Sequence, residues 1–305
     1  MNDNYLEFLL SLNLIDGKDS TDYIKTLYSI SNRVENNYRV YKIKKRNGKY
    51  RTIYEPNGLL KHIQRKILYN VLEERKISIY AKAYHKGISL KDNASCHCNK
   101  KYILKLDIKD FFNSISFMNV YNACFSIYPK SIGMLLTRLC TYDDHLIQGA
   151  PTSSYISNLV MREFDYNIGN FARENNIDYT RYSDDMTFSG DFDPKFIILI
   201  VRCELKSLGL KLNFNKINFI NSSSRQEVCG VVVNNKMQVN SDYRKKIRME
   251  VYYLKKYGLK SHLDRIKYQG DNYINSLYGR ILYVLQINPM DYEFISYRDY
   301  IKNIL

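Results

Sequence analysis

Residues 179–190, YTRYSDDMTFSG, place two adjacent carboxylates, Asp184 and Asp185, between two short runs with strand character. Neighbouring like charges repel, and a tight turn is an unfavourable place to hold them. Asp-Asp in a loop is most often a solvated turn. A second stretch changes that balance. YILKLDI (102–108) has the pattern of a strand, with Asp107 near its C-terminal end. A hairpin tip lies beside the ends of neighbouring strands in its sheet, so this arrangement gathers Asp107, Asp184 and Asp185. Three close carboxylates are unstable unless a cation neutralises them. Hard divalent ions such as Mg²⁺ take oxygen ligands. Two such ions about 4 Å apart stabilise both the attacking and the leaving oxygen of an in-line phosphoryl displacement.

The rest of the chain supplies a frame for such a hairpin. YRVYKIKKRNGKYRTIYEP (38–56) alternates on both sides of Asn47-Gly48, a strong hairpin signal. Apolar residues recur at helical spacing over 59–76. Residues 150–176 have the pattern of one long helix with Pro151 in its first turn, and 194–210 that of a helix ending near Gly209. Residues 227–240 suggest another hairpin, turning at Asn234-Asn235. From 241 onward the chain is basic, Tyr-rich and mainly helical. The order strand, helix, hairpin, helix, hairpin predicts an α+β layer fold, an antiparallel sheet with helices on one face.

Charge points to the partner. The net charge of the 305 residues is +15, which favours a polyanion, most commonly nucleic acid. The charge is segregated: residues 39–105 carry +14 and 241–305 carry +5, whereas 106–240 carry −1 and 1–38 carry −3. A merely lysine-rich soluble surface does not explain that segregation. The six cysteines (96, 98, 124, 140, 203, 229) form no paired framework, so reduced thiols are expected. Cys96-His97-Cys98 lacks a second cluster at zinc-ligand spacing. The N-terminus shows no basic leader, and its apolar run is too short to span a membrane. A cytoplasmic protein is expected.

Four stretches in order resemble the boxes of reverse transcriptases. YSDD (182–185) resembles the Tyr-x-Asp-Asp box, and LKLDIKDFFNSI (104–115) the strand carrying the other metal-binding aspartate. QGAPTSSYISNLV (148–160) is similar to the box that holds template and incoming nucleotide, and GLKLNFNKINFI (209–220) to the later box with a lysine near the nucleotide phosphates. NASCH (93–97) and VCG (228–230) narrow the resemblance to retron reverse transcriptases, although Cys229 stands where that family carries Thr. The resemblance covers roughly residues 30–240 motif by motif.

It implies a right-hand polymerase: an N-terminal helical extension (1–35), fingers with part of the palm (36–100), a palm with the catalytic motifs (101–240) and a helical, RNA-recognising thumb (241–305). By the resemblance, Asp107, Asp184 and Asp185 hold two Mg²⁺ ions, with Mn²⁺ as a substitute and the Ile108 carbonyl as a lesser ligand. Arg51 clamps the triphosphate, and Lys49 is left open. Phe112 blocks a ribose 2′-hydroxyl, while Phe111 is a core aromatic. Gln148 and Gly149 touch the incoming nucleotide. Lys216 protonates the leaving pyrophosphate or balances its charge. Asn93 and His97 serve RNA recognition or local architecture, and Val228, Cys229, Gly230, Arg244, Lys245 and Arg248 face RNA.

The implied activity copies part of a cognate noncoding RNA into branched multicopy single-stranded DNA (msDNA), primed from the 2′-hydroxyl of an internal guanosine. Deoxynucleotides, a host RNase H and a defence effector protein complete the implied partners. Alternatives are another bacterial reverse transcriptase of the group II intron kind, a viral RNA polymerase, or an inactive nucleic-acid-binding scaffold. The short chain argues against the first, the bulky Phe112 against the second and the intact triad against the third.

Overall fold

The computed structural model describes residues 3–17, 19–44, 48 and 50–304. Asn47 and Lys49, of the expected first hairpin turn, lie outside the described residues. Helices α1 (Asp3–Ser11) and α2 (Ser20–Asn32) open the chain, the second capped by Asp19, which accepts from the Asp22 amide. Strands β1 (Tyr38–Lys44) and β2 (Tyr50–Pro56) pair antiparallel as an isolated two-stranded ribbon, from Tyr38 opposite Pro56 to Lys44 opposite Tyr50. The helix expected over 59–76 is α3 (Gly58–Ile67), capped by Asn57, and it widens into a π-helical turn at Leu68–Leu72.

After α4 (Leu90–Ser95) come β3 (Tyr102–Asp107), the short α5 (Phe111–Ser114) and α6 (Phe117–Val120), and α7 (Lys130–Cys140). The long helix expected over 150–176 is two, α8 (Ser153–Val160) and α9 (Arg162–Glu174). Met161 leaves helical geometry between them at φ −82°, ψ 1°, and Pro151 lies ahead of the first turn. The hairpin β4 (Asp178–Tyr182) and β5 (Asp185–Gly190) follows, then α10 (Pro194–Ser207) and β6 (Asn218–Asn221).

These strands form one antiparallel sheet in the order β4-β5-β3-β6. Period-two alternation decides which side chains share a face. Leu104, Leu106, Met186, Phe188 and Tyr179 enter the main core with the helices. The opposite face carries Lys105, Asp107, Asp185 and Thr187. Register does the rest: Asp107 stands directly opposite Asp185.

The single hairpin expected over 227–240 is instead three short strands, β7 (Glu227–Val228), β8 (Val231–Val232) and β9 (Gln238–Val239). Val228 pairs with Val231, so the first turn is Cys229-Gly230, with φ of +46° and +86°. A two-residue loop with both φ positive matches the twist of the flanking strands.

The chain closes with α11 (Ser241–Arg265), interrupted at Gly258, then α12 (Tyr273–Ile287) and α13 (Tyr292–Lys302). A second core joins Val228, Val231, Val233 and Val239 to Ile247, Val251, Leu277, Ile281 and Phe294. That core also takes in Ile103 of β3 and Ala94 of α4, so 228–239 lies between the four-stranded sheet and the C-terminal helices. Among the described residues no helix is long and apolar enough to cross a membrane.

Candidate active site

Tyr182 pairs with Asp185, so Ser183 and Asp184 form the two-residue tip of the β4–β5 hairpin, with Ser183 at φ +61°. The Ile108 amide donates to the Asp184 carbonyl at 3.1 Å, tying the end of β3 to that tip. Asp107 is nearly buried, and both its oxygens are engaged. Asn213 donates to Oδ1 at 3.0 Å, and the Lys216 ammonium lies 2.5 Å from Oδ2. Asn213 escaped the sequence reading, although it lies three residues before Lys216 in the same motif.

The electrostatics are those of an unfinished site. Loss of water raises the pKa of Asp184, and the Asp107 charge adds to it; Lys216 and Arg51 oppose the rise. Asp185 is pushed up to about 6, first by desolvation and then by Asp184 and Asp107. Desolvation pulls Lys216 down, but the bond to Asp107 and the charges of all three acids carry its pKa upward. Lys216 thus stands in as the local cation. Among the described residues, no three acidic, His or Cys side chains close around one point as a ready-made ion cage. The donor set is nevertheless all oxygen, carboxylate-rich and short of positive charge, which suits hard divalent ions. A cation bound at Asp107 Oδ2 would compete with the Lys216 ammonium for that oxygen.

Of the residues expected at the nucleotide, Arg51 reaches the acids, Gln148 and Gly149 pack against β2, and Phe112 lies in the core. Arg51, on β2, is close enough to lower the Asp184 pKa. The Tyr54 amide of the same strand donates to the Gln148 carbonyl at 3.0 Å. Gly149 follows at φ +119°, where a Cβ would fall 2.4 Å from the Tyr54 carbonyl oxygen. Only glycine allows that approach. Phe112 lies in the main core beside Phe111, with ring centroids 5.3 Å apart and 7% of its surface exposed.

A family model for reverse transcriptase (RNA-dependent DNA polymerase) matches residues 43–260. The retron Ec86 reverse transcriptase of Escherichia coli is 31% identical over 76% of this chain and 74% of its own length. The retron Ec83 enzyme of the same organism is 32% identical over 85% of this chain and 86% of its own. This chain belongs to the retron reverse transcriptases. It is an RNA-directed DNA polymerase of right-hand α+β fold. A telomerase from Candida albicans, solved with a fragment of telomeric RNA, shares that fold alone. It matches at a TM-score of 0.50 and 13% identity, covering 87% of this chain and 63% of the telomerase.

Of the residues expected at RNA in this retron enzyme, His97, Val228 and Arg244 have buried side chains. His97 is fully buried, its ring nitrogens 2.7 Å from the Ser189 hydroxyl and 2.8 Å from that of Thr180. Burial lowers its pKa to about 3, so the ring is neutral and pins β4 to β5. The architectural reading of His97 therefore replaces RNA contact. Val228 is likewise fully buried. Arg244 is buried between Asp291 and Glu293 and over the Phe294 ring. Arg248 is held by both oxygens of Glu293, at 2.5 and 2.6 Å. Arg244 is thereby committed to bonds within the helical bundle, whereas the paired Arg248 keeps about two-fifths of its side chain, 41%, open to solvent.

Asn93 is buried and donates to the Cys229 sulfur at 3.4 Å. Burial, followed by the nearby Asp185, pushes the Cys229 thiol up to about 12, so it stays protonated. Cys229 is half-buried, whereas Gly230 and Lys245 are exposed. Those three retain a surface for a ligand.

Proposed function

We propose that this enzyme binds the noncoding RNA of its own retron and copies part of it, primed from the 2′-hydroxyl of an internal guanosine, into branched msDNA. The observation that carries the chemistry is the register setting Asp107 opposite Asp185, with Asp184 at the adjoining tip. Asp107, Asp184 and Asp185 would hold two Mg²⁺ ions, or Mn²⁺ in their place, with the Ile108 carbonyl as an accessory oxygen. When bound, the ions neutralise charge on the attacking and leaving oxygens of phosphoryl transfer.

The chain's own residues do the positioning. Arg51 meets the triphosphate from the exposed ribbon, where charge neutralisation carries much of the catalysis. Gln148 and Gly149 set the nucleotide against β2. Phe112 closes the sugar side and rejects ribonucleotides. Lys216, released from Asp107, balances or protonates the pyrophosphate. Cys229, Gly230 and Lys245 contact RNA, with Asn93 holding Cys229 in place.

In this reading the fingers span 36–100, the palm 101–240 and the thumb 241–305, after a helical extension over 1–35. A host RNase H trims the template, and the RNA–DNA hybrid holds a defence effector in check in the cytoplasm. Support comes from the residue-by-residue match to the retron boxes and from basic segments flanking a near-neutral centre. Sequencing nucleic acid that copurifies with the protein tests it. A DNA strand joined to an internal RNA 2′-oxygen is expected; unbranched DNA with ordinary 3′ priming would overturn the retron-specific part.

A further inference from the structure

The hairpin tip that carries Asp184 is held from behind. Arg181 projects from β4 into the helix-side core and, among the described residues, is the largest side chain that is fully buried. Its Nε and Nη2 donate to the two carboxylate oxygens of Asp165 on α9, at 2.8 and 2.7 Å. Nη2 also donates to the Asn158 side-chain oxygen on α8, at 3.2 Å. Asp165 and Asn158 are fully buried, and the Tyr179 hydroxyl adds a bond to Asp165 at 2.9 Å. The remaining arm, Nη1, donates at 3.0 Å to the carbonyl of Ser183, the residue immediately before Asp184.

A buried ion pair is a weak source of stability, because desolvation offsets its attraction, so stability alone is a poor reason for one here. A guanidinium, unlike an ammonium, presents a planar fork that can bond several acceptors in fixed directions. The direction matters at Ser183. Its carbonyl and the Asp184 amide belong to one rigid peptide plane. Ser183 also holds φ +61°, a conformation that non-glycine residues keep only when their surroundings fix it. The Ser183 hydroxyl has the Tyr84 hydroxyl 3.3 Å away, so the tip is gripped on two sides. The backbone of Arg181 is itself clamped: its amide donates to Tyr80 and its carbonyl accepts from Lys82, both at 2.8 Å. Asn158 completes the frame by donating to the Ala83 carbonyl at 2.9 Å.

We propose that Arg181, oriented by Asp165 and Asn158, is a positioning residue that fixes the Ser183–Asp184 peptide and so aims Asp184 and Asp185 at their cations. The inference rests on the metal-holding reading of the triad. It assigns the helix face of β4 a task for the opposite face of the same sheet.

The test must separate aiming from folding. Replacing the pair by apolar groups of similar length, Arg181→Met with Asp165→Leu and Tyr179→Phe, removes the buried charges together. This kind of exchange commonly preserves folding. Arg181→Lys is the second variant: it keeps a charge against Asp165 but cannot also reach the Ser183 carbonyl. Melting temperature, Mn²⁺ affinity by electron paramagnetic resonance, and kcat and KM for a deoxynucleotide on an RNA template are measured for each. A folded variant is expected to bind Mn²⁺ about 10–100-fold more weakly and to lose kcat by a similar factor, with the nucleotide KM little changed. Wild-type Mn²⁺ affinity and kcat in either folded variant would overturn the proposal. Asp184→Asn is the control. If it leaves Mn²⁺ binding untouched, the metal reading itself fails, whatever Arg181 does.

Discussion

The sheet and the C-terminal helices treat charge in opposite ways. In the bundle of α11–α13, three arginines are paired with acids: Arg244 with Asp291 and Glu293, Arg248 with Glu293, Arg280 with Glu250. At the strand ends, Lys216 is bonded to Asp107, Lys105 and Arg51 act on the other two acids from farther off, and Asp184 and Asp185 are both still raised from their ordinary pKa. The bundle uses its charges to hold itself together. The sheet gathers three acids whose protein partners, Asn213, Lys216, Lys105 and Arg51, leave two of them with raised pKa values. A net positive charge is therefore a poor guide to which cations remain free for RNA.

The sharpest way to break this contrast is at the triad. Asp184→Asn with Asp185→Asn should take primer extension on an RNA template to background while RNA binding in a gel-shift assay persists. Normal extension would remove the acids from the chemistry. The bundle should respond in stability instead. Arg244→Ala leaves Asp291 buried without its partner, and a loss of about 3 kcal/mol in urea unfolding is expected. A change below about 0.5 kcal/mol would show the pair to be incidental.

Gly149→Ala probes the seam between ribbon and sheet. The added methyl meets the Tyr54 carbonyl at a positive φ, so a loss of about 2 kcal/mol and a raised nucleotide KM are expected. An unaltered nucleotide KM would show that this approach does not shape the nucleotide site.

Much of the site was legible because period-two alternation and a hairpin tip are local. Given strands at 102–107 and 185–190, Asp107 and Asp185 fall on the same face, away from Leu106 and Met186. The turn at Cys229-Gly230 was hidden because cysteine seldom takes positive φ, and Asn234-Asn235 offered a more familiar signal. The break at Met161 has no sequence signature; the apolar periodicity runs on through it. Arg244 and Arg248 look like any basic helix face, and their partners lie more than forty residues away, at Asp291 and Glu293. Arg181 did leave a sign: it alternates with Tyr179 on the strand side that enters the core, and an arginine there needs a buried partner. Nothing local named Asp165 as that partner.

The central claim is that the acid site is electrostatically unsatisfied until a cation arrives. Thermal unfolding of the wild type and of Asp185→Asn, in EDTA and in Mg²⁺ across pH, tests it most directly. The folded-state pKa of Asp185 lies at about 6, above its ordinary 3.8, so folding favours the protonated form. The resulting penalty is absent below about pH 4, grows between pH 4 and 6 and is complete above that range. In EDTA at pH 7.5 the Asn variant should be more stable by about 1 kcal/mol, after allowing for solvent screening at this exposed position. That advantage should fade toward pH 4, and Mg²⁺ should stabilise the wild type more than the variant. Equal stability in EDTA at pH 7.5, or no difference in the response to Mg²⁺, would contradict the account.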